Sequence, residues 1–542
     1  MSTRKKEETQ ESENLKDLLS KTIKNTSNTF VLSIITRIVN LSCNIIIMRN
    51  ITKNSFGIVK VYFEFAFQLM CSFPREVIRK TAQKFIPDSD KEKEKKKYDI
   101  ILTLYSTVIM GMGIFAFFLF FAFLYFGGEK LTKNKTQLLI YIISGFFELG
   151  AEPIIIYMNL HLENKQLAIT IGNFGRVISN MILAGGLHLD MWSFTLSRVI
   201  GSGLYSSYLY SLGIFKYKIN LGKLFLPNLK ALIFNDKIDG IELAPAKDIL
   251  FSFIKVTSLK MILQHGEKTI LSFVLHQSDE EKGEYSFVIE NFSFFTRFLL
   301  EPINDTFYNL INKVKNYKSK NTTTNNKNLL NTILKIFIKI LLIFGTILIS
   351  YYFLAGREFV EYVYSSKWST PSTERIGRFQ AIYIAIFSIN GIIEAYANAT
   401  NNTQQMNSYN FLMIINSVLL VLFMTVLSRI DISGLIIANS LCMLIRIFGN
   451  LYIIFNGDDK EKEKNSIFNI GYFIKELYLS FMSIIFTVFC VVLGFFVRGF
   501  FKYQKLGISL FCYGVLITFN IFAIYLFEKD KIKFEYGKIK DE

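Results

Sequence analysis

The sequence predicts an all-α polytopic membrane protein of about fourteen transmembrane helices, two six-helix lobes in parallel pseudo-repeat plus two C-terminal helices. Three observations predict it. Hydrophobic residues make up 51% of the 542 positions. Phe, Ile and Leu recur in blocks of about twenty residues, enough to cross a hydrocarbon core of roughly 30 Å. The longest polar connection, with Pro227, Pro245 and six lysines, separates two sets of six such blocks. Six is even, so the second set runs in the same orientation as the first.

Taken in order, the polar tail 1–28 carries no cleavable signal pattern, so the first span is expected to target the chain. Span 1 (29–49) places Ser33, Arg37, Asn40 and Asn44 at helical spacing, and span 2 (56–74) does so with Lys60, Glu64 and Gln68, continuing to Arg75 and Arg79. Span 3 (99–126) follows the charged loop DSDKEKEKKK and is nearly free of charge. Span 4 (137–158) carries Glu148 and Glu152, and span 5 (166–188) carries Asn173, Arg176 and Asn180. Span 6 (192–215) follows from its apolar length and closes an N-lobe of residues 29–215. The connection 216–248 reads as a cytosolic interlobe linker.

A C-lobe, 249–455, follows. Span 7 (249–276) carries Thr257, Lys260, Gln264, Glu267 and Lys268; span 8 (285–312) carries Glu290, Arg297, Glu301 and Asp305. Span 9 (329–355) is nearly uncharged, span 10 (376–400) carries Asn390, Glu394 and Asn398, and span 11 (408–427) rests on apolar length. Span 12 (432–455) carries Asn439, Arg446 and Asn450. A loop and the nearly uncharged spans 13 (473–497) and 14 (505–527) form a C-terminal helix pair, 456–527, before a cytosolic tail, 528–542. Lys and Arg concentrate in the loops on one side, which puts both termini in the cytosol by the positive-inside rule.

The polar stripes need an explanation. A charge at the bilayer centre costs roughly 2.5 to 3.5 kcal/mol on insertion scales. Glu394, with Asn390 and Asn398 one turn to either side, must therefore meet a partner cation or a water-filled cavity. Interhelical pairing, each contact contributing about 0.6 to 2 kcal/mol, explains a single pair. Charge on so many helices points instead to a hydrated chamber, with the uncharged spans meeting lipid.

Other chemistry is not written in the chain. The five cysteines (Cys43, Cys71, Cys442, Cys490 and Cys512) stand in apolar runs without Cys-x-x-Cys spacing, so neither a disulfide framework nor a metal site is expected. There is no nucleotide-binding G-x-x-x-x-G-K-[ST], and GMGIFA at Gly111 lies in an apolar span with no preceding strand. His161, His188, His265 and His276 lack zinc-protease spacing. No cofactor and no catalytic cluster is expected. The net charge of +17 is dispersed through short loops, which excludes a nucleic-acid footprint and suits anionic lipid or a phosphate-bearing ligand. Asn134 forms a sequon in NKT on the non-cytosolic side.

Six motifs, SFPREVIRKTA, ELGAEP, HGEKTIL, RFLLEPINDTF, SKWSTPSTERIGRFQAIYIAIFSINGIIEAYANAT and DISGLIIANSLCMLIRI, stand in an order that resembles the Rft family of endoplasmic-reticulum proteins. That family lies within the multidrug/oligosaccharidyl-lipid/polysaccharide exporter superfamily. The resemblance implies a V-shaped two-lobe transporter in the endoplasmic-reticulum membrane. It also implies a role in moving pentamannosyl-chitobiosyl-diphosphodolichol from the cytosolic to the lumenal leaflet for N-glycosylation, with membrane lipids and other glycosylation-pathway proteins as partners.

Arginine binds phosphate bidentately, so Arg37, Arg75, Arg79 and Arg297 are the diphosphate candidates. Motif by motif, the resemblance implies further glycan-contacting or charge-balancing positions at Glu76, Glu148, Glu152, Glu267, Lys268, Glu301, Lys367, Trp368, Asn390, Gly391, Glu394 and Arg446, to which the stripes add Lys260. Two other readings stand beside flipping: a non-transporting scaffold of glycosylation, and a cation-coupled exporter of the same superfamily. A membrane-embedded transferase lacks a visible acid, base and nucleophile cluster.

Overall fold

A computed structural model describes residues 35–86, 91–160, 166–217, 237–238, 241–242, 244–274, 277–296, 323–400, 403–455 and 511–523, with scattered positions at 300–311, 485–494 and 525–526. Apart from one two-residue antiparallel ladder, Lys237 opposite Glu242 and Ile238 opposite Ile241, the regular structure of these residues is helical. Seven of the helices are long and apolar enough to cross a membrane, as expected of a multi-pass membrane protein.

Packing divides the chain into two compact units, Met1–Phe273 and Val274–Glu542. In the first, α1 (35–50) leads through Ile51 into α2 (Lys53–Ile58), a π-helical turn at Val59–Phe63, and α3 (Glu64–Phe85). Next come α4 (Lys91–Lys133), α5 (Lys135–Gly150), α6 (Glu152–Leu160), α7 (Gln166–Gly185) and α8 (Asp190–Ser211). A second π-helical turn, Leu212–Lys216, ends α8; the ladder precedes α9 (Ala244–Thr269), which runs into a third, Ile270–Val274. α9 packs along α3. Lys268 and Ser272 bond to residues of the α2–α3 rod.

α4 is longer than the predicted span. Its first two turns are the Glu- and Lys-rich KEKEKKK, strong helix formers that lengthen it at the polar end. A stripe of Phe115, Phe117, Phe118, Phe121 and Tyr125 lies exposed along its apolar part, the composition of a lipid-facing surface. α7 and α8 pack at very short range through Gly172 and Gly201. A Cβ on Gly201 would lie 2.6 Å from the Arg176 Cβ and 2.9 Å from the Gly172 carbonyl oxygen, so only glycine permits this approach.

The second unit comprises α10 (Asp279–Phe295), α11 (Thr323–Tyr364), α12 (Pro371–Thr400), α13 (Thr403–Leu427), α14 (Gly434–Phe455) and the shorter α15 (Phe511–Ala523). α12 is central and touches α10, α11 and α14. Ser278 and Glu281 form a reciprocal capping box that fixes the start of α10. α13 exposes Phe411, Ile414, Val418, Val421, Leu422 and Val426, and α15 exposes Phe511, Val515, Phe519 and Phe522. The predicted span 13 falls largely outside the described residues, whereas α15 lies within the predicted span 14.

The ends of the helices verify the alternation of spans within each unit. Asp190, at the start of α8, accepts from Thr52 N at 3.2 Å, Thr52 Oγ1 at 2.9 Å and Ser55 Oγ at 2.5 Å. This clasps the α1–α2 turn to the α7–α8 turn. In the second unit, Gln277 donates to the Ser428 carbonyl at 3.3 Å, Thr370 to Glu284 at 2.8 Å, and Arg375 to Asp431 at 3.2 Å. Three turns that alternate spans would bring to one end therefore meet there.

Candidate functional site

In the first unit the polar residues gather in two places. One is built on the motif ELGAEP. Glu148 sits in the last turn of α5, Ala151 breaks the helix, and Glu152 opens α6, where the positive end of the helix dipole favours a carboxylate. Pro153 is tolerated at the second position because its missing N–H belongs to the unpaired first turn. Two tyrosines of α4 brace the break: Tyr105 donates to the Leu149 carbonyl at 2.5 Å and Tyr98 to the Pro153 carbonyl at 2.9 Å.

The carboxylates are met by arginines. Arg75 Nη2 donates to Glu148 Oε2 at 2.7 Å, and its Nε lies 3.2 Å from Glu152 Oε2, in ion contact without hydrogen-bond alignment. Arg79 donates to Glu152 Oε1. The Glu152 side chain is wholly buried, 0% exposed. Arg198 of α8 lies 3.7 Å from Glu148 Oε1, its guanidinium 3.5 Å over the Phe67 ring, and Ser202 donates to the same Glu148 oxygen at 2.7 Å. Of the expected diphosphate arginines, Arg75 and Arg79 are thus engaged with carboxylates of their own unit. Glu76 pairs one turn along its helix with Lys80 at 2.8 Å.

The second place lies towards the start of the same rod. Lys60 and Glu64 pair at 3.0 Å, Lys268 of α9 donates to Gln68 at 2.7 Å, and Arg176 of α7 and Lys268 both lie within electrostatic reach of Glu64. These four ionisable groups carry three positive charges against one negative. The π-helical turns Val59–Phe63 and Ile270–Val274 meet beside them, Ser272 Oγ donating to the Val61 carbonyl at 3.1 Å. Widened turns of this kind interrupt the regular backbone ladder and often accompany functional sites. Arg37 is half-buried on α1, and Glu267 is half-buried next to Lys268. Lys260 belongs to α9, but its side chain lies outside the described residues, as do Arg297 and Glu301.

In the second unit a partner cation meets the Glu394 carboxylate. Arg446 Nη2 of α14 donates to Glu394 Oε2 at 2.6 Å, Asn390 Nδ2 to the same oxygen at 3.2 Å, and Tyr409 Oη of α13 to Glu394 Oε1 at 2.6 Å. Gly391, one residue along from Asn390, lies against Asn304, whose Nδ2 would stand 2.4 Å from an added Cβ. Lys367 and Trp368 form a short 3-10 turn between α11 and α12. Trp368 is 0% exposed and stacks on Phe287 with centroids 4.4 Å apart and planes at 16°. It offers no face to a sugar in this conformation. Lys367 stays half-buried, 5.9 Å from that indole.

Arg198, Ser202 and Tyr409 are site residues that the sequence reading did not single out. A signal existed for the first two: Arg198, Ser202 and Ser206 recur every fourth residue along one face of the span, the same rule that found the other stripes. Ser206 donates to the Phe147 carbonyl at 2.6 Å.

The comparisons with known proteins agree with this architecture. The chain matches the model of the family described as Rft protein over residues 21–536. It is 24% identical over 451 residues to the Man(5)GlcNAc(2)-PP-dolichol translocation protein RFT1 of Schizosaccharomyces pombe, covering 78% of this chain and 81% of that relative. To the Candida glabrata protein of the same name it is 26% identical over 496 residues, covering 83% and 87%. Among solved structures it resembles the lipid II flippase MurJ in an inward closed conformation, with TM-score 0.63 and 15% identity over 93% of this chain and 99% of that one. An inward-facing MATE family multidrug resistance transporter of the MOP superfamily gives TM-score 0.55 and 12% identity over 77% and 94%. At such identities the likeness shows the fold alone, and that fold is the polytopic helical transporter expected.

Proposed function

We propose a function on one premise: the chain belongs to the Rft protein family. It translocates a dolichol-diphosphate-linked oligosaccharide, the Man(5)GlcNAc(2) intermediate named for its relatives, from the cytosolic to the lumenal leaflet of the endoplasmic-reticulum membrane. Both termini are cytosolic, the lipid's covalent structure is unchanged, and the polyprenyl tail stays in the bilayer.

The observation that carries this reading is the gathering of Lys60, Arg176 and Lys268 around Glu64. A diphosphate and a large neutral glycan cross hydrocarbon at prohibitive cost unless polar groups replace their hydration. Lys60, Arg176 and Lys268, with Arg37 on the same unit, supply charge-assisted donors for the diphosphate, and Gln68 and Glu64 accept from hydroxyls. Arg75 and Arg79 act one step removed, holding Glu148 and Glu152 and so the shape of the α5–α6 break. In the second unit Glu394 and Arg446 hold three helices in register in the same way.

The test is reconstitution of the full chain in vesicles with the labelled lipid. Label should pass to the opposite leaflet at a rate that rises with protein, and fall when Arg176 or Lys268 is changed to Glu. Protein-independent movement under every ion gradient tried would overturn direct translocation and favour a scaffold.

A further inference from the structure

We infer that the second unit holds a column of ordered water between α12, α13 and α14, hydrating the Glu394–Arg446 pair from above and below. The starting observation is a group of deeply buried polar atoms with no hydrogen-bond partner among the described residues: Asn390 Oδ1, Asn416 Oδ1, Arg446 Nε, and both Oδ1 and Nδ2 of Asn450. Asn390 is 2% exposed, Asn416 6% and Asn450 0%. A buried amide that lacks partners costs about 1–3 kcal/mol per group, so several in one place are not expected in a dry core.

Helical register puts these atoms in one column. Asn390 and Glu394 are one turn apart on α12, and Cys442, Arg446 and Asn450 are successive turns of one face of α14. Cys442 Sγ approaches the Asn416 carbonyl at 3.9 Å, while Tyr409, two turns earlier on α13, reaches Glu394. Gln405 Nε2 meets the Ile453 carbonyl at 3.4 Å, which confirms that α13 and α14 run antiparallel in this register. Asn390 and Asn416 therefore lie on one side of the Glu394–Arg446 pair and Asn450 on the other, over roughly 12 Å of helix.

The chemistry selects water. The unpartnered atoms include donors, Arg446 Nε and Asn450 Nδ2, as well as acceptors, and only a molecule that both donates and accepts serves both. A cation would satisfy the acceptors alone and would stand beside the Arg446 guanidinium, which already neutralises Glu394. A buried water typically makes about three hydrogen bonds, which the clustered amides can supply. Its consequence is mechanical: a hydrated ion pair loses less on separating than a dry one, so α12 and α14 keep freedom to shift.

Two measurements on the purified full-length protein test this. Millisecond X-ray hydroxyl-radical labelling in oxygen-18 water compares Tyr409 with Tyr352, which has the same 8% exposure. Tyr409 should label several-fold faster; equal rates overturn the proposal. The variant Asn450→Leu should lower the thermal unfolding midpoint, because it removes hydrogen bonds that are made. A raised midpoint would mean that Asn450 is dry and overturns it. A midpoint that rises in sodium chloride relative to choline chloride, and loses that response in Asn390→Leu, would assign the column to a cation and overturn it as well.

Discussion

Tyr105 donates its hydroxyl to the carbonyl oxygen of Leu149 at 2.5 Å, the acceptor that would take the N–H of residue 153 had that residue not been proline. The side chain of one helix thus replaces a backbone donor missing from another, inside the core formed by Val77, Ile101, Tyr105, Ile156 and Leu250. Changing Tyr105 to Phe keeps the ring and removes the donor. The expected loss is about 1 to 2 kcal/mol, read as a lower thermal midpoint of the purified chain. Changing Pro153 to Ala as well should recover part of it, since the backbone donor returns.

The Glu394–Arg446 contact is a partly buried ion pair, and removing one partner strands the other. Arg446→Met or Glu394→Leu alone should cost about 3–5 kcal/mol, whereas the double replacement should cost much less than the sum. A double-mutant cycle on unfolding midpoints or membrane abundance measures the difference. Additive losses would mean that the two side chains do not act as a unit.

Charge reversal separates the two polar places of the first unit. Lys268→Glu or Arg176→Glu should slow lipid movement in vesicles roughly tenfold or more, the loss of one charge-assisted contact of about 1.5–3 kcal/mol, with normal abundance. Lys135→Glu, on an exposed position at the start of α5, serves as the control and should leave the rate unchanged. By contrast Glu152→Leu should reduce abundance first, because two arginines lose their partner.

These contrasts show what the sequence could carry. The stripe Asn390–Glu394 was legible as a face that must meet something polar, because one helix's periodicity suffices to define a face. Its partner was not: Arg446 was legible as a residue, but nothing in spacing says which of several arginines reaches which carboxylate. The same limit hid the role of Arg75 and Arg79. Forked donors in the membrane suggested phosphate, yet two carboxylates one helix away are the nearer anions. Arg198 gives a weaker signal, because it is the one charged residue in a span whose many serines and tyrosines blur any single polar stripe. Glu148 and Glu394 each meet an arginine two spans later, Arg198 and Arg446. The helix break at Ala151 and the π-helical turns left no trace in composition, because they depend on neighbours that accept or donate across helices.

Trp368 decides between a packing and a ligand role most directly. The resemblance counts Trp368 among the glycan-contacting or charge-balancing positions, but the indole is fully buried and stacked on Phe287. Trp368→Ala should therefore cost roughly 3–5 kcal/mol of stability, while Trp368→Phe should cost less and leave lipid movement per folded molecule unaltered. The chain has two tryptophans, and Trp192 is 37% exposed, so Trp192→Phe isolates Trp368 as an intrinsic probe. Its emission should be blue-shifted and resistant to iodide, and should not change when the glycolipid is added. A shift or quench that saturates with the lipid would show that the indole opens to the chamber, and would return Trp368 to the glycan site.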